Sequence, residues 1–195
     1  KFYRNIYSSV NQHNLNGLVK DMQSFVKSAS RTLTILTDKD IYLIKTASSL
    51  HDIGKVGISS EILNKPGKLT PEEYEIVKKH TEIGAEIVLN LREYREEPLV
   101  KYAHDICLYH HERYDGGGYP TGLKGDDIPI AAQVVSMADA YDALTAQRVY
   151  KEAYSSEEAV DMILDGKCGK FNLLLLECLE DIRKFLVKDR FGQIK

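Results

Sequence analysis

Apolar residues along this chain recur mainly at helical spacing. Leu15, Leu18, Met22, Phe25, Val26 and Ala29 form one stripe. Ile41, Ile44, Ala47 and Ser48 form a second, behind the polar start Thr37-Asp38-Lys39-Asp40. Two-residue alternation is almost absent, so no sheet is expected and the predicted fold class is all-α. The best-signalled start is Thr70, a capping threonine followed by Pro71 in the first turn and Glu73 three residues on, the arrangement of a capping box. The helix it opens is predicted to run over 70–91. Further helices are predicted over 99–111, 131–145, 156–164 and 173–187. Between them lie three punctuated stretches, 54–67, 115–129 and 165–169, which hold most of the glycines and prolines and read as loops.

Length and charge then narrow the class. A chain of 195 residues is one domain's worth, and 1–195 is read as a single domain. Lys plus Arg numbers 26 against 29 Asp plus Glu, a formal net charge of −3, so no basic field exists to hold a nucleic-acid polymer. No apolar run exceeds four residues, which argues against membrane insertion. Cys107, Cys168 and Cys178 are sparse, odd in number and lack a CxxC, which suits buried thiols in a reducing compartment, so a cytoplasmic location is expected. The first residue is Lys1 rather than Met, and a piece of a longer polypeptide is expected.

The candidate chemistry lies in the histidines and the carboxylates near them. His51-Asp52 precedes Ile53-Gly54-Lys55-Val56-Gly57. His80 sits inside a predicted helix, and His110-His111 closes another just before the glycine run Gly116-Gly117-Gly118. Asp139 and Asp142 lie three apart on one face of an otherwise apolar helix, where a carboxylate must be paired, hydrogen-bonded or metal-bound. Singly, each has an ordinary reading as a buried core histidine, a capping aspartate or a solvated pair, and His104-Asp105 is read as such a decoy. Jointly, His51, Asp52, His80, His110, His111 and Asp139 supply the nitrogen and oxygen donors of a two-metal site, with Asp52, which has two oxygens, as the natural bridge.

The ordered set His51-Asp52-Ile53-Gly54-Lys55-Val56-Gly57, 62–70, His80, His110-His111-Glu112-Arg113, Gly118-Tyr119-Pro120, Ala138-Asp139 and Arg148 with Lys151 closely resembles the HD-GYP branch of the HD superfamily of metal-dependent phosphohydrolases. The likeness covers roughly 41–151 and is weakest over 1–36. It implies an HD-domain helical bundle with a glycine-rich loop, acting in bacterial signalling. It also implies two divalent ions, iron or manganese, whose bridging hydroxide hydrolyses cyclic di-GMP to pGpG or GMP. Carried over by position, it makes His51, Asp52 and Asp139 ligands of the first metal, and Asp52, His80, His110 and His111 ligands of the second. Lys55 matches the lysine at the scissile phosphate, Tyr119 lies in the substrate-facing loop, and Arg148 and Lys151 match a phosphate-holding segment. The implied partners are the cyclic dinucleotide, a regulatory domain in the full-length chain and a second copy in a homodimer.

Some positions depart from the pattern. The family places one more histidine upstream, and counting back from His51 lands near Val19; His13 is the only histidine before His51. Val149 and Leu173 stand where the pattern has prolines, and Gln147 where an acidic residue is frequent. A first metal site short of one ligand would bind its ion more weakly. The alternatives to a cyclic di-GMP phosphodiesterase are therefore a catalytically impaired binding module and a phosphohydrolase of another nucleotide.

Overall fold

A computed structural model of the chain describes residues 36–146 and 153–191. The stripe over 15–29, His13, Arg148 and Lys151 lie outside the described residues. The described residues are helical, with one isolated bridge between Lys167 and Gly169 and no strand, as an all-α chain requires. In chain order the helices are α1 (Asp38–Ser48), α2 (Ser60–Leu63), α3 (Pro71–Lys78), α4 (His80–Leu89), α5 (Pro98–Tyr109), α6 (Ile130–Thr145), α7 (Ser156–Leu164) and α8 (Leu173–Phe191). Two compact units result: Tyr42–Val135, and the described residues on either side of it, so that the divisions fall within α1 and α6.

The local signals act as sequence chemistry dictates. Ahead of α1, the Thr37 amide donates to Asp40 Oδ2 at 2.8 Å and the Asp40 amide donates back to Thr37 Oγ1 at 3.2 Å. At α3 the Glu73 amide donates to Thr70 Oγ1 at 3.2 Å and the Thr70 amide to Glu73 Oε2 at 2.7 Å, which completes the capping box with Pro71 in the first turn. The same reciprocal pair, Ser155 with Glu158, opens α7.

Two expectations are corrected. The single helix predicted over 70–91 is two, α3 and α4, broken at Lys79. The break has a local cause: His80 Nδ1 bonds the Val77 carbonyl at 2.7 Å and Thr81 Oγ1 donates to the Lys78 carbonyl at 3.0 Å, so side chains take acceptors that a continuous helix reserves for backbone amides. The stretch 54–67, read as loop, instead holds the 3-10 turn Ile53–Gly57 and the one-turn helix α2, whose cap Ser59 accepts from the Glu61 amide at 3.3 Å.

Within Tyr42–Val135, α4 packs on α5 and on the 3-10 turn Ile53–Gly57. Its core holds Ile44, Ala47, Ala85, Val88, Val100, Ala103, Ile106 and Cys107. Gly54 meets Gly84 backbone to backbone. A Cβ at Gly54 would collide with the His80 carbonyl oxygen and lie 2.5 Å from the Gly84 amide nitrogen, while one at Gly84 would lie 3.2 Å from the Gly54 nitrogen. Cys107 seals the same junction: its Sγ donates to the Leu50 carbonyl at 3.2 Å, and burial pushes the thiol up to about 12. Of the other cysteines, Cys178 is buried and Cys168 only half-buried. In the other unit, α7 packs on α8 through Ala159, Val160 and Ile163 on one side and Leu175, Cys178 and Leu179 on the other, with Arg183 Nη2 on Asp161 at 2.8 Å.

Candidate metal centre

The junction of the Ile53–Gly57 turn, α4 and the end of α5 carries the histidines. α1 ends at Ser48, and two turn bonds, the His51 amide to the Ser48 carbonyl and the Ile53 amide to the Leu50 carbonyl, fold His51-Asp52 back over it. His80 opens α4, and His110 is the residue that ends α5, its amide bonded to the Ile106 carbonyl. Because Gly54 lies against the His80 backbone, the His51-Asp52 corner is brought to His80. Because α4 packs on α5, His110 and His111 arrive from the other side.

The contacts are close and directional. Asp52 divides its oxygens: Oδ1 lies 3.4 Å from His80 Nε2, and Oδ2 lies 3.4 Å from His51 Nε2. His80 Nε2 and His110 Nε2 are 3.4 Å apart. One nitrogen from each of His80, His110 and His111 falls within 4.8 Å of the others. The His51 ring stands edge-on to His110 at 5.1 Å between centroids, and His80 edge-on to His111 at 5.1 Å. His51, His80 and His110 are buried.

Backbone carbonyls fix how these rings present themselves. His51 Nδ1 bonds the Ser48 carbonyl at 2.8 Å, His80 Nδ1 that of Val77 at 2.7 Å, and His110 Nδ1 those of Ile106 and Cys107 at 2.8 and 3.1 Å. A carbonyl oxygen only accepts, so Nδ1 carries the proton in each, and the Nε2 lone pair of a neutral ring turns inward. Burial, the largest influence on His80, lowers its pKa below the ordinary 6.5 against the pull of Asp52, and so favours the neutral ring. With Nδ1 bonded to backbone carbonyls in both rings, the Nε2 atoms of His80 and His110 face each other across 3.4 Å, an arrangement that a shared cation suits. That spacing also suits two nitrogens each about 2.1 Å from one ion. The donor set therefore fits divalent metal.

The sign of the pH effect follows. The folded state holds His80 neutral while the unfolded chain takes up a proton at the ordinary value, so the unfolded state binds more protons below 6.5. We expect the metal-free chain to lose stability as the pH falls from 7.5 through 6.5 to 5.5. Urea unfolding midpoints at those three values check this, and a midpoint that rises on acidification contradicts it.

Beside the cluster, Lys55 Nζ lies 2.5 Å from Asp52 Oδ2 and keeps its ammonium partly exposed. The Gly118-Tyr119-Pro120 loop folds over His111: the Tyr119 amide donates to the His111 carbonyl at 3.2 Å, and its ring stacks on the His111 ring at 4.7 Å and 25°. Gly118 permits this, since a Cβ there would overlap the Glu112–Arg113 backbone. Glu112, buried next to His111, clasps the loop: its Oε1 accepts from the Thr121 amide and hydroxyl at 2.8 Å each and from the Gly122 amide at 3.0 Å. The sequence reading gave Glu112 no role, although a carboxylate between a histidine pair and a glycine loop was the available signal. Glu112→Ala should cost about 3 kcal/mol of stability, because three donors lose a charged acceptor, whereas Glu112→Gln keeps an oxygen and loses less. Thermal denaturation of the two variants distinguishes these outcomes.

The structure thus brings together His51, Asp52, His80, His110 and His111, with Lys55 and Tyr119 adjoining. His104, the decoy, bonds Asp105 instead, Nδ1 to Oδ1 at 3.0 Å. Asp139 is half-buried on α6 in the other compact unit. Arg148 and Lys151 lie outside the described residues.

Comparison with known proteins agrees with this chemistry. The profile of the HD domain family matches residues 3–171. A probable cyclic di-GMP phosphodiesterase of Vibrio cholerae is 47% identical over 134 residues, 67% of this chain and 30% of that protein. A 3'3'-cGAMP-specific phosphodiesterase 2 of the same organism is 44% identical over 144 residues, 74% of this chain and 27% of that protein. The chain therefore spans less than a third of the length of these relatives. Among solved structures, Bd1817, a HDG"Y"P protein from Bdellovibrio bacteriovorus, superposes with a TM-score of 0.65 at 27% identity, covering 89% of this chain and 54% of that one. A profile match that runs through every histidine of the cluster, with the Gly118-Tyr119-Pro120 loop folded onto the last of them, makes this chain a member of the HD domain family, in its HD-GYP branch.

Proposed function

We propose that this chain is a metal-dependent phosphodiesterase that hydrolyses cyclic di-GMP to pGpG or GMP. The observation that carries the reading is the convergence of backbone-oriented Nε2 atoms on a carboxylate whose two oxygens face different histidines, with a lysine ammonium at the rim. Two divalent cations, iron or manganese, supply Lewis acidity when bound, bringing the pKa of water toward about 7 and drawing charge from phosphoryl oxygens.

The residues divide the remaining work. His80, His110 and His111 with Asp52 would hold one ion, and His51 with Asp52 would hold the other; the family resemblance alone adds Asp139 to the ligands. Lys55 orients the phosphodiester and neutralises charge growing on its nonbridging oxygens, worth about 3 to 4 kcal/mol for one well-placed donor. Arg148 and Lys151, again on the resemblance, take up the second phosphate. Water adds across the bond between phosphorus and the ribose 3′ oxygen, and the displaced oxygen takes the proton. No side-chain nucleophile is required.

Two further readings have support of their own. Relatives that are 3'3'-cGAMP-specific phosphodiesterases favour that dinucleotide as the competing substrate. Val19, standing where the family has a histidine, favours a module that binds without turnover. A cytoplasmic location is part of the proposal, resting on the sparse thiols; among the described residues no helix is long and apolar enough to cross a membrane.

The test is metal analysis of anaerobically purified protein together with incubation with manganese and each cyclic dinucleotide, followed by chromatography. About two metal equivalents and linear pGpG are expected. Binding without product would instead support the impaired module.

A further inference from the structure

A cyclic dinucleotide has two bases and two phosphates, and only one phosphate can sit at the reacting position, so the rest of the molecule needs a surface of its own. That surface has a candidate on α3. Tyr74 and Lys78 lie one helical turn apart on one face, a spacing visible in the sequence. Tyr74 is 48% exposed, although its ring is one of the larger apolar groups of this unit. It stands edge-on to Tyr119, 6.4 Å between centroids at 81°. The Lys78 ammonium lies over both rings, 5.7 Å from the Tyr74 centroid and 5.5 Å from that of Tyr119. Since Tyr119 stacks on His111, an aromatic surface extends outward from a candidate metal ligand, through Tyr119, to the open ring of Tyr74.

We propose that Tyr74 and Lys78 form a subsite for a purine base and its neighbouring phosphate beside the metal centre. The proposal rests on the phosphodiesterase reading above. Tyr119 is crowded by His111, Lys78 and Tyr74, whereas Tyr74 has ring surface open to solvent, and a base stacks on such a ring whatever its hydrogen-bonding edge. The ammonium between the rings suits a phosphate oxygen. Its present partner, Glu75 Oε1 at 2.7 Å, has a side chain 64% exposed, and pairs of that kind contribute little, so an incoming phosphate displaces it readily. The platform is held firmly: the capping box fixes the start of α3, and Lys65 Nζ bonds both oxygens of Glu73 at 2.8 and 2.6 Å. A mobile surface tyrosine would lack both ties.

The experiment compares the manganese-loaded chain with Tyr74→Leu, Tyr74→Phe and Lys78→Gln. It measures KM and kcat for cyclic di-GMP, the calorimetric Kd of cyclic di-GMP for the metal-free protein, and metal content. Tyr74→Leu should raise KM and Kd by about tenfold, the loss falling on KM rather than kcat, with metal content at the starting level. Tyr74→Phe, which keeps the ring, should stay within about twofold of the starting KM. Lys78→Gln should raise both KM and Kd. If the unaltered chain binds or hydrolyses the dinucleotide and Tyr74→Leu matches it in KM and Kd, the subsite is wrong and the phosphodiesterase reading stands. If the unaltered chain neither binds nor hydrolyses cyclic di-GMP or 3'3'-cGAMP, both fall together.

Discussion

Asp52→Ala should leave the chain unable to retain divalent metal. The carboxylate faces His80 through Oδ1 and His51 through Oδ2, so its removal takes a donor from both sides of the cluster at once. Metal affinity is expected to fall by more than about 100-fold, the upper end of what removing a mere supporting partner costs. The consequence also appears as stability. An ion bound only by the folded state at 100 times its dissociation constant adds about 2.7 kcal/mol, so manganese should raise the melting temperature of the original chain and leave that of Asp52→Ala where it was. Metal quantification after anaerobic purification, with thermal melts at matched manganese concentrations, provides the check. A full metal complement in the variant would refute the ligand assignment.

The second large effect is expected from a residue with no functional group. Gly54→Ala introduces a Cβ into the His80 carbonyl oxygen, with the Gly84 amide nitrogen 2.5 Å away. Both neighbours are backbone, which cannot rotate aside as a side chain can. The turn Ile53–Gly57 must therefore lift from α4, at a cost of about 3 kcal/mol or more. His51 and Asp52 lift with it, away from His80. Metal affinity should fall along with stability, although every candidate ligand is still present. Gly67→Ala is the control: a Cβ there meets nothing within 4 Å, and although its positive φ of 138° makes the change strained, it touches neither the turn nor the His80 backbone, so metal content should hold. Chemical denaturation and metal quantification of the two variants decide the matter. If Gly54→Ala keeps a full metal content, the glycine contact is not what brings the corner to His80.

Much of the helical layout was legible along the chain. The Thr70-Pro71-Glu73 signal marks the start of α3, and the predicted span 156–164 coincides with α7, because capping and amphipathic spacing act over one or two turns. The break at Lys79 was not legible. It depends on His80 and Thr81 reaching back to carbonyls, and on Gly54 arriving against the His80 backbone from a distant segment. The turn Ile53–Gly57 was likewise hidden behind its glycines, which sequence reading takes as loop markers.

The candidate site divides in the same way. His51-Asp52 and His104-Asp105 are the same dipeptide, and composition and spacing cannot rank them; the family pattern chose the first, and packing shows the physical difference. His51 turns its Nε2 toward Asp52 while Ser48 holds its Nδ1, whereas His104 spends its Nδ1 on Asp105 at a partly exposed position. Glu112 and Tyr74 escaped notice because their roles are relations, to the loop at Thr121–Gly122 and to the ring of Tyr119, over separations that no local period encodes.

The chain by itself therefore determined an all-α class, the capped helix starts and an inventory of imidazoles and carboxylates able to hold divalent metal. Only the tertiary structure decided which of those groups share a space and which nitrogen each histidine turns inward. The physical reason is range. Helix formation is settled by neighbours within a few residues, whereas ligation requires atoms from separate segments to meet within a few ångströms at fixed angles. Here that meeting depends on two glycines whose lack of a side chain lets a turn and a helix touch.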